Sequence, residues 1–420
     1  MREIEFKNGA LRLEGADLES LARRFGTPLY VYSLKAIREN YRRIRRAFGP
    51  LRPVIAYSAK ANSNGAILRA LAREGAALDI VSGGELERGL RAGFPPQRIF
   101  FAGVGKTKGE IAAALRAGIR AFNIESPAEA EQIARIARRL RKPAPALLRI
   151  NPDVDAKTHD YISTGKKEKK FGINFDLAVE VFERVKALPG LDLLGLHAHI
   201  GSEILQPAPH AQALKRLAQL IDRLRARGHS IRCLNLGGGF GIGYGDRQKP
   251  LDVEALAQRL LPTLRRLGCE AAFEPGRAIV GNAGLLLTRV IYIKDGSAKR
   301  FAIVDAGMND LIRPSLYGAH HRIERVRQSH GEKRRRVDVV GPVCESGDFF
   351  AIDRALPPLA AGDLLAVLDA GAYGMAMAST YNSRPLAAEV LVSRGRAALI
   401  RERGTVADLT RRERMPGFLR

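Results

Sequence analysis

From residue 53 to about 276, short apolar runs alternate with amphipathic stretches. The runs are 53–58, 77–82, 98–103, 121–126, 146–152, 191–202, 231–239 and 269–276. Helical periodicity fills the gaps. The stretch 127–140 follows Ser126, a good N-cap, and 176–188 is ended by Pro189-Gly190. Eight strand-then-helix units predict a closed parallel (β/α)8 barrel, a TIM barrel. An open doubly wound sheet is the alternative; it would carry a glycine fingerprint after its first strand.

After Arg277 the rhythm changes. Segments 278–293, 300–306, 336–341, 363–369 and 387–401 read as strands, punctuated by Asp295-Gly296, Gly331, Gly362 and Gly395. Helical periodicity is weak here, so an all-β domain, barrel or sandwich, is expected. The start of the chain, 4–13, also reads as β and joins it, with 16–27 as the crossover. The expected division is a barrel domain over 27–276 and a β-domain built from 1–26 and 277–420. The connection 155–170 is long, polar and basic, which marks it as a lid or a disordered loop.

Composition narrows the class. A chain of 420 residues suits two domains, and 46% hydrophobic residues support sizeable cores. No apolar run approaches a membrane span. Met1-Arg2-Glu3-Ile4-Glu5-Phe6-Lys7 lacks the apolar core of a signal peptide. Cys233, Cys269 and Cys344 form neither a metal-spaced pair nor a disulfide framework, so a cytoplasmic location is expected. The net charge of +25 suggests nucleic acid. Its distribution argues otherwise. Arg42-Arg43, Arg45-Arg46, Arg135 and Arg138-Arg139 spread over helix faces. Lys166-Lys167-Glu168-Lys169-Lys170 and Lys333-Arg334-Arg335-Arg336 read as solvated faces or loops. No nucleic-acid or membrane partner is expected.

The candidate chemistry starts at Lys60, in Tyr57-Ser58-Ala59-Lys60-Ala61-Asn62. A lysine at a strand's C-terminal tip points its amine into the mouth of a fold, where a Schiff-base lysine must sit. Alone it would read as a solvated charge. Lys60, Asp79, Arg149, His199, Gly237–Gly239 and Glu274 all fall at C-terminal ends of predicted strands, which a parallel barrel gathers on one face. In His197-Ala198-His199-Ile200-Gly201-Ser202, the ring of His199 suits stacking on a flat cofactor. A metal on His197 and His199 is the alternative, but no carboxylate or cysteine close in sequence completes that site. Gly237-Gly238-Gly239 offers backbone amides to a phosphate, against the plainer reading of a tight turn. The dinucleotide pattern fails at Tyr244, and a Walker A loop ending in Gly105-Lys106-Thr107 fails at Phe100. Glu274, in Glu274-Pro275-Gly276-Arg277, is a carboxylate that can keep a pyridine nitrogen protonated, making the ring an electron sink. Its plainer reading is an ion pair with Arg277. Together these segments point to pyridoxal 5'-phosphate (PLP).

On those residues the chain resembles the fold type III PLP decarboxylases of the alanine racemase-like superfamily, and among them the diaminopimelate decarboxylases, over about 28–392. The resemblance implies a PLP-binding barrel, a C-terminal β-domain and a homodimer. It implies release of CO2 from the D-centre of meso-2,6-diaminopimelate to give L-lysine, the last step of lysine biosynthesis. By it Lys60 is the Schiff-base lysine, Asp79 lies near that bond, His199 covers the ring and Glu274 meets the pyridine nitrogen. Ser202, Gly238, Gly239, Gly276 and Tyr373 lie around the phosphate, and Arg277 remains for anions. In Cys344-Glu345-Ser346-Gly347-Asp348 the resemblance makes Cys344 the acid that returns a proton and Glu345 the contact to the substrate amine, both donated across the dimer interface. Tyr373, in Gly371-Ala372-Tyr373-Gly374-Met375, shares that site, against the plainer reading of a core tyrosine. Arg313 and Tyr317, in Met308-Asn309-Asp310-Leu311-Ile312-Arg313-Pro314-Ser315-Leu316-Tyr317, suit a distal carboxylate, which an arginine grips bidentately. Ornithine carries an ammonium there and would want a carboxylate. Glu203 stands where glutamine is common, and Lys169 where serine is. A decarboxylase or racemase for another basic amino acid, or a non-catalytic PLP-handling protein, are the alternatives.

Overall fold

Each of the eight apolar runs contains a strand. In the computed structural model, which describes residues 3–155, 170–245, 248–328 and 331–419, they are Val54–Ser58, Ala77–Ile80, Ile99–Phe101, Ala121–Ile124, Ala144–Asn151, Leu191–His197, Cys233–Asn235 and Glu270–Phe273. They pair in parallel in chain order, and Glu270–Phe273 closes the ring against Val54–Ser58. The closed barrel follows and the open sheet is set aside. Ile173–Asn174 adds one short parallel pairing to Ala144–Asn151.

Helix ends follow local chemistry. Ser82 and Ser126 accept from Glu85 N and Glu129 N. Thr107 and Glu110 form a reciprocal capping box at the head of Lys108–Ala117. Inside the barrel, Ala56, Ala77, Phe100, Ala121, Leu147, Cys233 and Ala272 form one apolar cluster. Layers of inward side chains are how such barrels fill.

The chain divides into two units. The barrel unit is Arg38–Gly243 with Arg247–Ile279; the other is Met1–Ile37, Tyr244–Asp246 and Val280–Arg420. The second unit is mostly strands. The long strand Gly284–Asp295 pairs with Leu29–Ser33, Leu364–Val367 and Arg300–Val304. Arg335–Val340 lies between Arg300–Val304 and Phe349–Leu356. Ile4–Lys7, Ala10–Leu13 and Ala16–Asp17 form a small antiparallel sheet. Leu13, Leu18, Leu29, Val31, Leu285, Leu287, Leu364, Val390 and Val392 share one core. The N-terminal segment is thereby built into this unit.

Several local expectations need correcting. Leu29–Ser33, inside the expected barrel span 27–276, hydrogen-bonds to Gly284–Asp295 and Ala388–Ser393 in the β-unit. The segment 387–401 is a hairpin, Ala388–Ser393 with Arg396–Arg401, turning through Arg394 and Gly395 at positive φ. The start of 278–293 is helical, Arg277–Val280, before Gly284 opens the strand. The crossover 16–27 contains the helix Leu18–Phe25, capped by Asp17. The expected lid, 155–170, and the patch Lys166–Lys170 lie almost wholly on 156–169, outside the described residues. In Lys333–Arg336, Arg336 pairs with Asp353 at 2.7 Å. Among the described residues, no helix is long and apolar enough to cross a membrane.

Candidate active site

Side chains two residues apart on a strand share a face. One step of two beyond the apolar layer therefore puts a second layer into the same lumen. Ala56 leads to Ser58, Ala77 to Asp79, Ala121 to Asn123, Leu147 to Arg149, Cys233 to Asn235 and Ala272 to Glu274. This second layer is polar, and all six residues are buried. It sits at the C-terminal mouth of the barrel.

Lys60 follows on the turn Ala59–Ala61. Its Nζ donates to Asp79 Oδ2 at 2.7 Å, and Ser58 Oγ donates to the same oxygen at 2.8 Å. Asp79 is fully buried while the Lys60 side chain is 36% exposed, so the amine faces the open mouth. Burial and then the charge of Glu274 raise the Asp79 pKa, and the Lys60 ammonium pulls it back.

Glu274 is held on both oxygens. Oε1 accepts from Asn123 Nδ2 at 3.0 Å and Asn235 Nδ2 at 2.7 Å; His197 Nε2 donates to Oε2 at 3.2 Å. Burial opposes its charge, but His197 and then Lys60 outweigh it and keep the carboxyl below its ordinary range. His199 takes the opposite course. Burial, with Arg149 and Lys60 nearby, holds it well below the usual imidazole value. Its neutral ring accepts Gly238 N–H at Nδ1, 3.1 Å away.

The glycine loop is shaped by close approach. Gly237 and Gly239 have φ of 65° and 90°, and a Cβ on Gly238 would meet Glu274 O at 2.3 Å. A Cβ on Gly276 would press on Ala61 and Ser58 at 3.0 Å. Arg277 donates to Ser202 Oγ at 3.2 Å and pairs with Glu203 at 3.0 Å. Arg149 pairs with Glu125 at 2.6 Å, and Gly172 N donates to that same carboxylate at 3.0 Å.

The other unit carries the remaining candidates. Cys344 and Glu345 are exposed on a turn braced from beneath. Asp348, buried, accepts from Met308 N and Val343 N, each at 2.6 Å. Cys344 N donates to Asn382 Oδ1 at 2.8 Å, and Tyr381 OH to Glu345 Oε2 at 3.4 Å. Arg313 is 1% exposed. Its Nη1 donates to His321 Nε2 at 2.9 Å, and its guanidinium lies 4.4 Å from the Tyr244 ring centre. Tyr317 ends the same short helix, Arg313–Tyr317. Tyr373 holds a φ of 56°, a left-handed conformation uncommon for an aromatic residue and one that clusters at functional sites.

Known proteins share this plan. A family model for the pyridoxal-dependent decarboxylase, pyridoxal binding domain, matches residues 34–281. The diaminopimelate decarboxylase of Pseudomonas aeruginosa is 49% identical over 412 residues, 97% of this chain and 98% of its own. That of Zymomonas mobilis is 46% identical over the whole of both chains. The crystal structure of diaminopimelate decarboxylase from Helicobacter pylori, complexed with L-lysine, superposes with a TM-score of 0.90. It is 42% identical and covers 94% of this chain and 98% of its own. The chain belongs to the diaminopimelate decarboxylase family.

The barrel mouth fits the cofactor of that family. Asp79 Oδ1 is buried with no hydrogen-bond partner among the described residues. At Gly237, Gly238 and Gly239 an added Cβ would meet the backbone oxygens of Ala198, Glu274 and Gly201 at 2.4, 2.3 and 2.5 Å, so only glycines let this loop fold so closely against the mouth with its backbone uncovered by side chains. Glu274 is anionic, as a partner for a ring N–H must be. Of the two histidines of the metal alternative, His197 Nε2 faces Glu274 and His199 Nδ1 accepts from Gly238 N. Among the described residues no group of three or more His, Cys, Asp or Glu could hold a metal ion.

Sequence reasoning passed over Ser58, Asn123, His197 as a partner of Glu274, and Asn235. The signal was available. Ala121-Phe122-Asn123-Ile124 and Leu234-Asn235-Leu236 each set an amide inside an apolar strand, two residues beyond a small lumen-facing side chain.

Proposed function

We propose that this chain is a PLP-dependent carboxy-lyase that removes CO2 from the D-centre of meso-2,6-diaminopimelate and yields L-lysine. The observation that carries the reading is one barrel mouth holding both a half-exposed lysine on a buried aspartate and a glutamate kept anionic by three donors. Likeness to diaminopimelate decarboxylases over 92–100% of the chain supports the substrate.

When bound, the cofactor supplies a protonated ring that takes up the electron pair left by departing CO2. Lys60 offers the amine to which it attaches, and Asp79 holds and returns protons at Lys60 Nζ. His199 would cover the ring face as a neutral imidazole, Glu274 would meet the ring nitrogen, and Ser202, Gly238, Gly239, Gly276, Arg277 and Tyr373 would hold the phosphate. Arg313 and Tyr317, with Arg277, take substrate carboxylates; Glu345 takes the ammonium, and Cys344 Sγ delivers a proton to the carbon that lost CO2. The enzyme works in the cytoplasm as a homodimer, and Cys344 and Glu345 serve the partner subunit's barrel. Their exposure on a braced turn supports that role.

The test is CO2 release and product identity from purified protein given meso-diaminopimelate, L-ornithine and L-arginine. Turnover confined to diaminopimelate, with L-lysine as product, is expected. Preference for ornithine or arginine, or racemisation without CO2, would overturn the reading.

A further inference from the structure

Glu274 is an anion inside the lumen of a barrel, and nothing about its strand makes that favourable. An isolated buried carboxylate is penalised by several kcal/mol and takes up a proton instead. The groups that prevent this come from three other strands. Asn235 lies on the neighbouring strand, but Asn123 lies on Ala121–Ile124, four strands away round the ring, and reaches Glu274 across the lumen. Both asparagines are 0% exposed. The amide of Asn235 is oriented independently of Glu274, whereas Asn123 Oδ1 is buried with no hydrogen-bond partner among the described residues, so its Nδ2 contact to Glu274 is what orients that amide. Asn235 Oδ1 accepts Gly237 N–H at 2.9 Å, which leaves its Nδ2 for the carboxylate. The strand at Asn123 is pinned by Lys106, whose Nζ donates to Asn123 O at 2.9 Å and pairs with Glu129 at 2.6 Å. Two N–H donors on one oxygen favour the charged carboxylate, because a protonated carboxyl is the weaker acceptor and its O–H would compete with those donors. The titratable and charged groups around Glu274 are His197, His199, Lys60 and Asp79. Asp79 opposes its charge, so donors are needed on the oxygen that faces away from His197.

We propose that Asn123 and Asn235 are positioning residues that lock Glu274 as an oriented anion and thereby hold the proton on the cofactor's ring nitrogen. The proposal rests on the reading of Glu274 as the partner of that nitrogen. A purely architectural role, filling the lumen with matched polar groups, would leave the ring nitrogen indifferent to either amide as long as the barrel stayed folded.

Two readouts separate these cases. Infrared difference spectra between the cofactor-free protein and its Glu274→Gln variant report the Glu274 carboxyl directly. Protein loaded with pyridoxal 5'-phosphate labelled with 15N in the ring reports the ring proton by its chemical shift. Asn123→Leu is the cleaner variant, because Asn235 also holds Gly237. Losing one charge-assisted donor raises the proton affinity of Glu274 roughly ten- to a hundredfold. The expected result is a protonated Glu274 band at higher pH than in wild type, with the ring nitrogen signal moving towards its neutral position. Asn123→Ser, too short to reach the carboxylate, serves where Asn123→Leu fails to fold, as judged by circular dichroism. A folded variant in which both signals stay at their wild-type positions would overturn the proposal. A wild-type ring nitrogen with no proton would instead sink the functional reading, while the infrared titration would still read the clamp on Glu274.

Discussion

Arg313→Lys isolates the group proposed to select the substrate. The native guanidinium is fixed on two sides. His321 Nδ1 donates to Leu368 O at 2.8 Å, which leaves Nε2 to accept from Arg313 Nη1 at 2.9 Å. Tyr244 lies against the guanidinium face, 4.4 Å from ring centre to the central carbon. A plane held this way keeps a set direction, as a bidentate carboxylate contact requires. Lysine has one nitrogen and no plane, so one charge-assisted contact is lost along with the stack. That contact is worth roughly 1.5–3 kcal/mol, and kcat/KM should fall about ten- to a hundredfold. The distal carboxylate survives in the product, so inhibition by L-lysine should weaken by a similar factor. Cofactor absorbance should hold, because Arg313 is not among the residues proposed to hold the cofactor. The assay is CO2 release against diaminopimelate concentration, with and without added lysine. Unchanged kcat/KM and unchanged lysine inhibition would refute the assignment. The other arginines of this region are engaged elsewhere: Arg322 by Asp369 at 2.9 Å and Arg325 by Glu332 at 2.5 Å.

Three further outcomes follow from the geometry. Borohydride reduction and peptide mapping should place the cofactor on Lys60, and Lys60→Ala should lose both the label and the visible absorbance; a label elsewhere would move the centre of the site. His210, on the helix Pro207–Ala226 and edge-on to Phe240, is pushed by burial to a pKa of about 4 from 6.5. Its folded pKa lies below its unfolded one, so its neutral form supports the fold fully above 6.5 and that support is lost as pH falls towards 4. His210→Phe should therefore lose roughly 3 kcal/mol less stability than wild type between pH 7 and pH 4 in denaturant titrations; equal losses would contradict this. Mixing Lys60→Ala with Cys344→Ala protein under subunit exchange should restore activity, up to about half per mixed dimer. No recovery after exchange verified by mass spectrometry would mean that Cys344 does not serve the partner.

The barrel was legible because its strands are buried on both faces and so read as unbroken apolar runs. Placing polar residues at strand ends singled out Lys60, Asp79, His199 and Glu274, since a parallel barrel gathers the C-terminal ends of its strands on one face. What could not be read was pairing at a distance. Leu29-Tyr30-Val31-Tyr32-Ser33 is as apolar as any barrel strand, yet its partners lie some 250 or more positions away, at Gly284–Asp295 and Ala388–Ser393. Phe349–Leu356 was missed because Asp353 and Arg354, half-exposed or exposed, break its apolar run on the solvent side. Asn123 and Asn235 looked like ordinary polar interruptions, because their meaning lies in a carboxylate brought to them by closure of the ring.

That closure also explains why the polar layer is one step above the apolar one and not mixed with it. A charge in the middle of the lumen would be enclosed by Ala56, Ala77, Phe100, Leu147 and their neighbours, with no donors in reach. Moved two residues towards the mouth, each polar group finds the next: Ser58 and Lys60 on Asp79, Asn123, Asn235 and His197 on Glu274, Arg149 on Glu125. Each pair offsets the desolvation of its members, and Asp79 Oδ1, Asn123 Oδ1 and His197 Nδ1 are left over. A half-satisfied network is destabilising in a closed core. At a barrel mouth the same deficit is tolerable, because a bound ligand can complete it, and binding to the folded state alone adds stability in proportion to the logarithm of ligand concentration. The position of the site and the cofactor's grip on the fold thus have one cause, the two-residue period of eight strands wrapped into a ring.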